Sequence, residues 1–406
     1  MISSILSKSF YSFLTLFGVV TIIFFLFNVL PGDPAQMMVD QQEDSLQMEQ
    51  IKKKYGFNLP ISSQYLLYIN DLSPFSYHSV NHEDLSFFSQ DKYFGFSLIK
   101  TSNFVLAIKF PHLRTSYQKR GKKVSKVILE TLPNTIILAV SAISISVVFG
   151  LILGIISALY YNTWIDKWLQ FLSTLGMSVP SFFSAILFSW FFGFLYHQTT
   201  GLNMTGSLYE MDDYGEERLI VLKNLILPAI VLGIRPIAVI IQLFRSSLLE
   251  VLSQDYIKTA YSKGLSKVEV IYRHAIKNSL NPVVTAISGW FASMLAGSVF
   301  VEYIFGWKGM GKEIVNSINT LDIPVIIGIV LTVSTLFMSG FFVDKFTSRK
   351  ILPYLNIPML FGLIVLIIFD HSYSAFIFMG LLGISNGLAN VLVSSLWAEI
   401  YGVNFL

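Results

Sequence analysis

What most constrains this chain is a series of apolar stretches that run for about twenty residues or more with few or no charges. A bilayer's hydrocarbon core is about 30 Å thick, and a helix rises about 1.5 Å per residue, so about 20 apolar residues are needed to cross it. Inside lipid the backbone must satisfy its own hydrogen bonds, which makes each such stretch a helix. Phe10–Leu30, Asn134–Tyr160 and Trp168–Tyr196 contain no charge; Leu219–Phe244 contains Lys223 and Arg235; Val283–Phe305 and Ile323–Val343 complete six spans. Leu352–Phe369 and Tyr373–Leu396 read as about two further C-terminal helices. The first stretch exceeds the roughly 7–15 apolar residues of a signal-peptide core and no small-x-small cleavage site follows it, so it reads as a retained anchor. Only 13% of residues are charged, about half the share in soluble domains. The expected fold is therefore an all-α polytopic membrane protein.

Charge sets the orientation, because Lys and Arg in short loops stay on the cytoplasmic side. The 245–282 loop carries Arg245, Lys258, Lys263, Lys267, Arg273 and Lys277 against Glu250, Asp255 and Glu269, and is expected in the cytoplasm. One span earlier, His197–Arg218 carries Glu210, Asp212, Asp213, Glu216 and Glu217, and is expected outside. Counting back places the N-terminus in the cytoplasm and residues 31–132 outside. That segment is basic at 52–54 and 119–126, but loops beyond about 60 residues escape the charge rule. Broken by Pro60, Pro74 and Pro111, it reads as a small extracytoplasmic domain or a set of short helices.

Ala142, Ser146, Gly150, Gly154 and Ala158 recur every fourth residue, placing small side chains on one helical face where another helix can approach closely. Ser288, Ala292 and Ala296 repeat the device. Either stripe suits packing within the chain or against another subunit. Pro180, Pro228, Pro236 and Pro324 permit bends. Arg235, a charge inside a span, is a candidate for the translocation path, although its place towards the cytoplasmic end also suits snorkelling or simple pairing.

Three motifs fail on inspection. Gly306–Glu313 has phosphate-loop spacing but ends on Glu313 where Ser or Thr should ligate magnesium. Gly383-Ile-Ser-Asn-Gly387 matches a nucleophile elbow inside an apolar helical stretch. His78 and His82 are four apart without a third ligand. No cysteine is present, which excludes thiolate metal sites and Cys nucleophiles. A net charge of +3 is too small for a nucleic-acid footprint. No catalytic group, metal or cofactor is expected.

The segment from Asp255 to Pro282, D-Y-I-K-T-A-Y-S-K-G-L-S-K-V-E-V-I-Y-R-H-A-I-K-N-S-L-N-P, resembles the cytoplasmic loop of ABC-importer permeases of the dipeptide, oligopeptide and nickel branch. Other matches follow in family order: Leu30-Pro-Gly-Asp-Pro-Ala35, Tyr55-Gly-Phe57, Leu132-Pro-Asn-Thr135, Ser178-Val-Pro-Ser-Phe182, Phe244–Leu252, Glu302 with Phe305, Gly309 and Gly311, and Asp322-Ile-Pro324. The resemblance covers about residues 1–335 and implies a six-helix type I importer permease core. It implies a coupling helix that docks on a cytoplasmic ATPase, with Asp255, Lys258, Thr259, Ala260, Gly264 and Leu265 at the motif positions. Independently, the pattern from Glu250 to Gly264 reads as a short helix stopped by glycine. A basic loop binding anionic lipid is the alternative reading of this segment.

The resemblance further implies a second permease subunit, two ATP-binding subunits that hydrolyse ATP, an extracytoplasmic substrate-binding protein and a bacterial inner membrane location. The cargo would be peptides or a related small solute. The expected organisation is an anchor at 1–30, an extracytoplasmic segment at 31–132, a permease core at 133–335 and an extra tail at 336–406. In the tail, Gly340–Lys350 resembles the cytoplasmic signature of major facilitator carriers, with Thr347 in place of glycine. It reads as a fusion or rearrangement junction between about Leu331 and Gly340. A secondary carrier or an inactive fusion product is therefore the alternative function, although two carrier spans alone form no path.

Overall fold

The computed structural model describes residues 2–29, 34–38, 45–90, 92–119, 121–211 and 218–345. The spans expected at Leu352–Phe369 and Tyr373–Leu396, the elbow-like 383–387 and most of the carrier-like tail lie outside the described residues, as do Asp212, Asp213, Glu216 and Glu217. Two compact units divide the chain, one of 1–135 with 308–334 and one of 136–307 with 335–406.

In the first unit, the apolar run Ile2–Val29 is one helix. Val20, Phe24 and Phe27 bury against Tyr68 of the Ile61–Leu72 helix and against Ile323, Ile326 and Ile327. Thr21 and Tyr65 share a hydroxyl hydrogen bond of 2.7 Å, so the segment that follows the first helix is seated directly on it. That segment is not only helical. It holds a three-stranded antiparallel sheet in the order Phe75–Ser79, Phe104–Lys109, Gly95–Lys100, with Phe75 opposite Ile108 and Ser79 opposite Phe104. The usual strand pattern is inverted: Ser76, His78 and Lys109 are buried while Phe75, Tyr77, Leu98 and Ile99 are exposed. His78 therefore spends its ring nitrogens on Ser76 and the Ser86 carbonyl, and His82 stands apart, exposed beside Phe87.

Around Asp71 the same unit buries a charged cluster. Arg114 Nε donates to Asp71 at 2.7 Å and the Tyr93 hydroxyl donates at 2.6 Å. Burial, opposed by Asp71 and reinforced by Lys92, Lys109 and Arg114, pushes the His112 imidazole down to about 4. A histidine depressed when folded stays neutral while the unfolded chain takes up a proton below about pH 6.5. The unit should accordingly lose stability as the pH falls from about 6.5 to about 4. His112→Phe should flatten that part of the melting profile, and an unchanged profile would refute the assignment.

In the second unit, Val124–Leu159, whose first turns lie in the other unit, contributes the small-residue stripe. The stripe faces the Lys223–Leu252 helix of the same chain. Ser146 Oγ donates to the Gly233 carbonyl at 2.9 Å. A Cβ built on Gly150 would fall 2.6 Å from the Ile240 side chain, and one on Gly154 would fall 3.1 Å from Phe244. Packing within the chain thus accounts for this stripe. Gly150→Ala should destabilise by about 1–3 kcal/mol through overpacking, and Ile240→Ala in the same chain should restore part of it in thermal melts.

Val124–Leu159 and Lys223–Leu252 are each long and apolar enough to cross a membrane. The span expected over Trp168–Tyr196 is not one straight helix: Trp164–Ser178 and Ser181–Leu195 meet at a bend of 104°. Val179 is extended ahead of Pro180, as a residue before proline prefers, and the proline ring ends the helix. The fifth span also breaks, into Asn281–Gly297 and Val299–Ile304. Ile323–Lys345 is a single helix.

Candidate functional site

Residues 255–264 build a helix that the chain stops deliberately. Gln254 is extended, Asp255 opens the first turn, and the helix runs to Ser262. Asp255 suits the helix N-terminus electrostatically and pairs with Lys258 at 2.8 Å, fully in solvent. Gly264 takes φ +82°, a left-handed conformation that glycine adopts at no Cβ cost. Its N–H bonds the Tyr261 carbonyl at 2.9 Å and the Leu265 N–H reaches back to Ala260 at 3.4 Å. This is the Schellman closure, in which the residue after the glycine folds its side chain onto the helix it ends. Leu265 does so, packing on the cluster that includes Ala260.

Ile257 and Ala260, three residues apart, form the inner face. They bury against Leu248, Val270, Ala275 and Ala158. The short helix is thereby seated on the end of the Lys223–Leu252 helix, and the small size of Ala260 serves that internal seat. Asp255, Lys258, Thr259 and Gly264 remain exposed. Ser266 then caps the next helix in a reciprocal box with Glu269. Asn278 Nδ2 donates to the Tyr256 hydroxyl at 3.0 Å, tying the two arms of the loop together. On the outer surface stand Tyr256, Tyr261, Val268 and Tyr272, the last two each 75% exposed.

Arg235 lies apart from this cluster. It is exposed and donates from NH2 to the Met177 carbonyl at 3.3 Å, near the end of the helix that the 104° bend terminates. A cation there also complements the negative end of that helix.

One pair escaped sequence reading. Arg245 grips Asp166 with Nε and NH2, both at 2.7 Å. Ser157 Oγ and the Asn162 N–H complete the carboxylate's partners at 2.6 and 2.8 Å. The clamp joins Trp164–Ser178 to the helix that carries Leu248. Opposite charges flanking separate spans, Asp166 and Arg245, were the available signal.

Several motif residues prove structural. Asn134 donates to the Lys308 carbonyl at 2.7 Å and Thr135 accepts from the Met310 N–H at 2.9 Å. Asp322 accepts from Ser116 and from the Tyr117 N–H, and Glu302 accepts from Ser298 at 2.7 Å. The phosphate-loop-like stretch follows a helix and leads into Met310–Asn319, with Trp307 buried.

Comparison with known sequences covers most of the chain. The family described as "Binding-protein-dependent transport system inner membrane component" matches residues 150–352, and its N-terminal companion matches residues 1–85. The first match runs past residue 335, where the motif resemblance ends. The chain is 33% identical to a dipeptide transport system permease protein, DppB, of Alkalihalophilus pseudofirmus, over 82% of this chain and 93% of that one. It is 30% identical to a di/tripeptide permease protein of Pseudomonas aeruginosa, over 81% and 92%. An oligopeptide permease protein, AppB, of Bacillus subtilis is 28% identical over 84% and 95%. Among solved structures, a chain of the MetNI methionine ABC transporter in an inward-facing form aligns at TM-score 0.42 with 12% identity, covering 55% of this chain and 96% of that one.

Proposed function

Because this chain belongs to the family of binding-protein-dependent transport system inner membrane components, we propose that it is one membrane subunit of an ATP-driven importer for di- or oligopeptides. In this reading the N-terminus and the 245–282 loop face the cytoplasm. ATP is hydrolysed in two partner subunits, a second permease completes the channel, and an extracytoplasmic protein delivers the cargo. Relatives named for dipeptide, di/tripeptide and oligopeptide transport support the cargo class.

The observation that carries the coupling assignment is the helix closed at Gly264, seated inward by Ile257 and Ala260 and open outward at Tyr256, Lys258, Thr259 and Tyr261. A partner that grips the outer face moves the helix as a body, because the Schellman closure and the Asn278–Tyr256 bond remove local slack. The motion passes through Leu248 to the Lys223–Leu252 helix, and through Arg245 and Asp166 to Trp164–Ser178. The bend at Val179–Pro180 lets the two arms of that broken span change angle, as alternating access requires. Arg235, exposed beside the bend, is assigned to the path. Interfaces of this kind switch between discrete arrangements when a ligand binds one of them better.

The test is uptake of labelled dipeptide into proteoliposomes holding this chain with its second permease and ATPases, supplied with binding protein. Uptake should require ATP hydrolysis. Dipeptide uptake driven by an ion gradient, without ATPases, would overturn the reading in favour of a secondary carrier.

A further inference from the structure

Of residues 227–245 in the Lys223–Leu252 helix, every one is buried or half-buried except Arg235. Arg235 stands ten residues before Arg245, where the charged loop begins. At about 1.5 Å per residue that is about 15 Å along the axis, half the thickness of a hydrocarbon core of about 30 Å. The same two helices meet at both points, Asp166 with Arg245 and Met177 with Arg235, so the break after Ser178 lies at a similar depth. A charge that deep in a membrane faces a watery passage or a partner.

The break is open as well. Met177, Ser178 and Pro180 are exposed, and Val179 is extended. Backbone that leaves the helix at membrane depth is tolerated where protein buries it or where it lines a water-filled cavity, and this chain does not bury it. The Ser181–Phe188 helix starts there without a side-chain cap, so its first N–H groups add donors at the break. Arg235 carries five N–H donors. One reaches the Met177 carbonyl at 3.3 Å, and among the described residues no carboxylate pairs with the guanidinium. The planar fork that remains matches the two oxygens of a carboxylate.

We propose that Arg235 binds the C-terminal carboxylate of the peptide in transit, an assignment that rests on the peptide-importer reading above. A peptide's α-carboxyl ionises at about pH 3.5, so the cargo is an anion at that end whatever its side chains. One fixed cation can therefore serve peptides of differing sequence.

The experiment measures uptake in proteoliposomes holding the full complex. The substrates are a dipeptide without acidic side chains and its C-terminal amide, each saturating the binding protein so that differences in delivery drop out. With the unaltered chain the acid should cross faster than the amide. In Arg235→Gln the ratio of their maximal rates should fall about tenfold, through loss of a charge-assisted hydrogen bond. Arg235→Lys, which keeps the charge without the fork, should give an intermediate ratio. A role confined to the end of the Trp164–Ser178 helix, or a carboxylate supplied by the second permease, would lower both rates alike; an unchanged ratio overturns the proposal. Independently, a dipeptide ending in a benzophenone side chain is irradiated during turnover. Adducts should map around Met177 or Arg235, and adducts confined to other segments or subunits would also overturn it. Absence of ATP-dependent uptake of either dipeptide by the unaltered chain is a distinct result, which removes the importer reading itself and the proposal with it.

Discussion

Gly264→Val abolishes peptide uptake while leaving the protein in the membrane at normal abundance. A Cβ at this position meets nothing within 4 Å, so the effect is not steric crowding. It comes from φ +82°, where an L-residue pays about 1–2 kcal/mol and a β-branched one is a clear outlier. Valine drives the backbone out of the left-handed region and opens the closure through which Leu265 reaches Ala260. The core of the second unit, built on Trp307, Phe305 and Leu138, is remote from that change. Melting should therefore shift little, whereas uptake and ATPase co-purification should fall at least tenfold. Gly264→Asn, a residue that tolerates left-handed φ, should restore much of both. Equal loss in Val and Asn variants would show that the conformation of Gly264 is not what matters.

Asp166→Ala should have the largest effect on stability. The carboxylate is 3% exposed and the guanidinium 19%, so removing the carboxylate strands a mostly buried charge. Breaking such a pair costs about 3–5 kcal/mol, and the lower end applies because Arg245 keeps some access to water. Replacing both partners, Asp166→Ala with Arg245→Met, should recover a substantial part, since an apolar pair carries no desolvation penalty. The measurement is denaturation of the single and double variants in detergent. A double variant no more stable than Asp166→Ala would contradict the clamp.

The sequence announces some of this arrangement and hides the rest, for physical reasons. Long apolar runs announce Val124–Leu159 and Lys223–Leu252, each long and apolar enough to cross a membrane, because lipid admits little else. The glycine after Lys263 announces the end of the 255–262 helix, since its special backbone freedom is a property of one residue. The small-residue stripe announces close approach but not its partner, because Gly150 and Gly154 would accept any helix; only the fold sets Ile240 and Phe244 against them. The three-stranded sheet of the first unit is hidden because Ser76, His78 and Lys109 point inward, reversing the alternation by which strands are recognised. Pro180 permits a bend but does not dictate 104°. The Asp166–Arg245 clamp joins residues far apart in the chain, and their opposite charges beside separate helices do not say which partner each will find.

The most direct test of the coupling assignment uses the absence of cysteine from the chain, which makes any introduced thiol unique. Thr259→Cys, on the exposed face of the 255–262 helix, is labelled with a benzophenone maleimide in inside-out vesicles and irradiated. Leu98→Cys, exposed on the three-stranded sheet of the first unit, is the control. The account predicts a covalent adduct between this chain and an ATP-binding subunit from Thr259→Cys alone. Reaction of Thr259→Cys with a membrane-impermeant maleimide added outside intact cells, or an ATPase adduct from neither position, would contradict it.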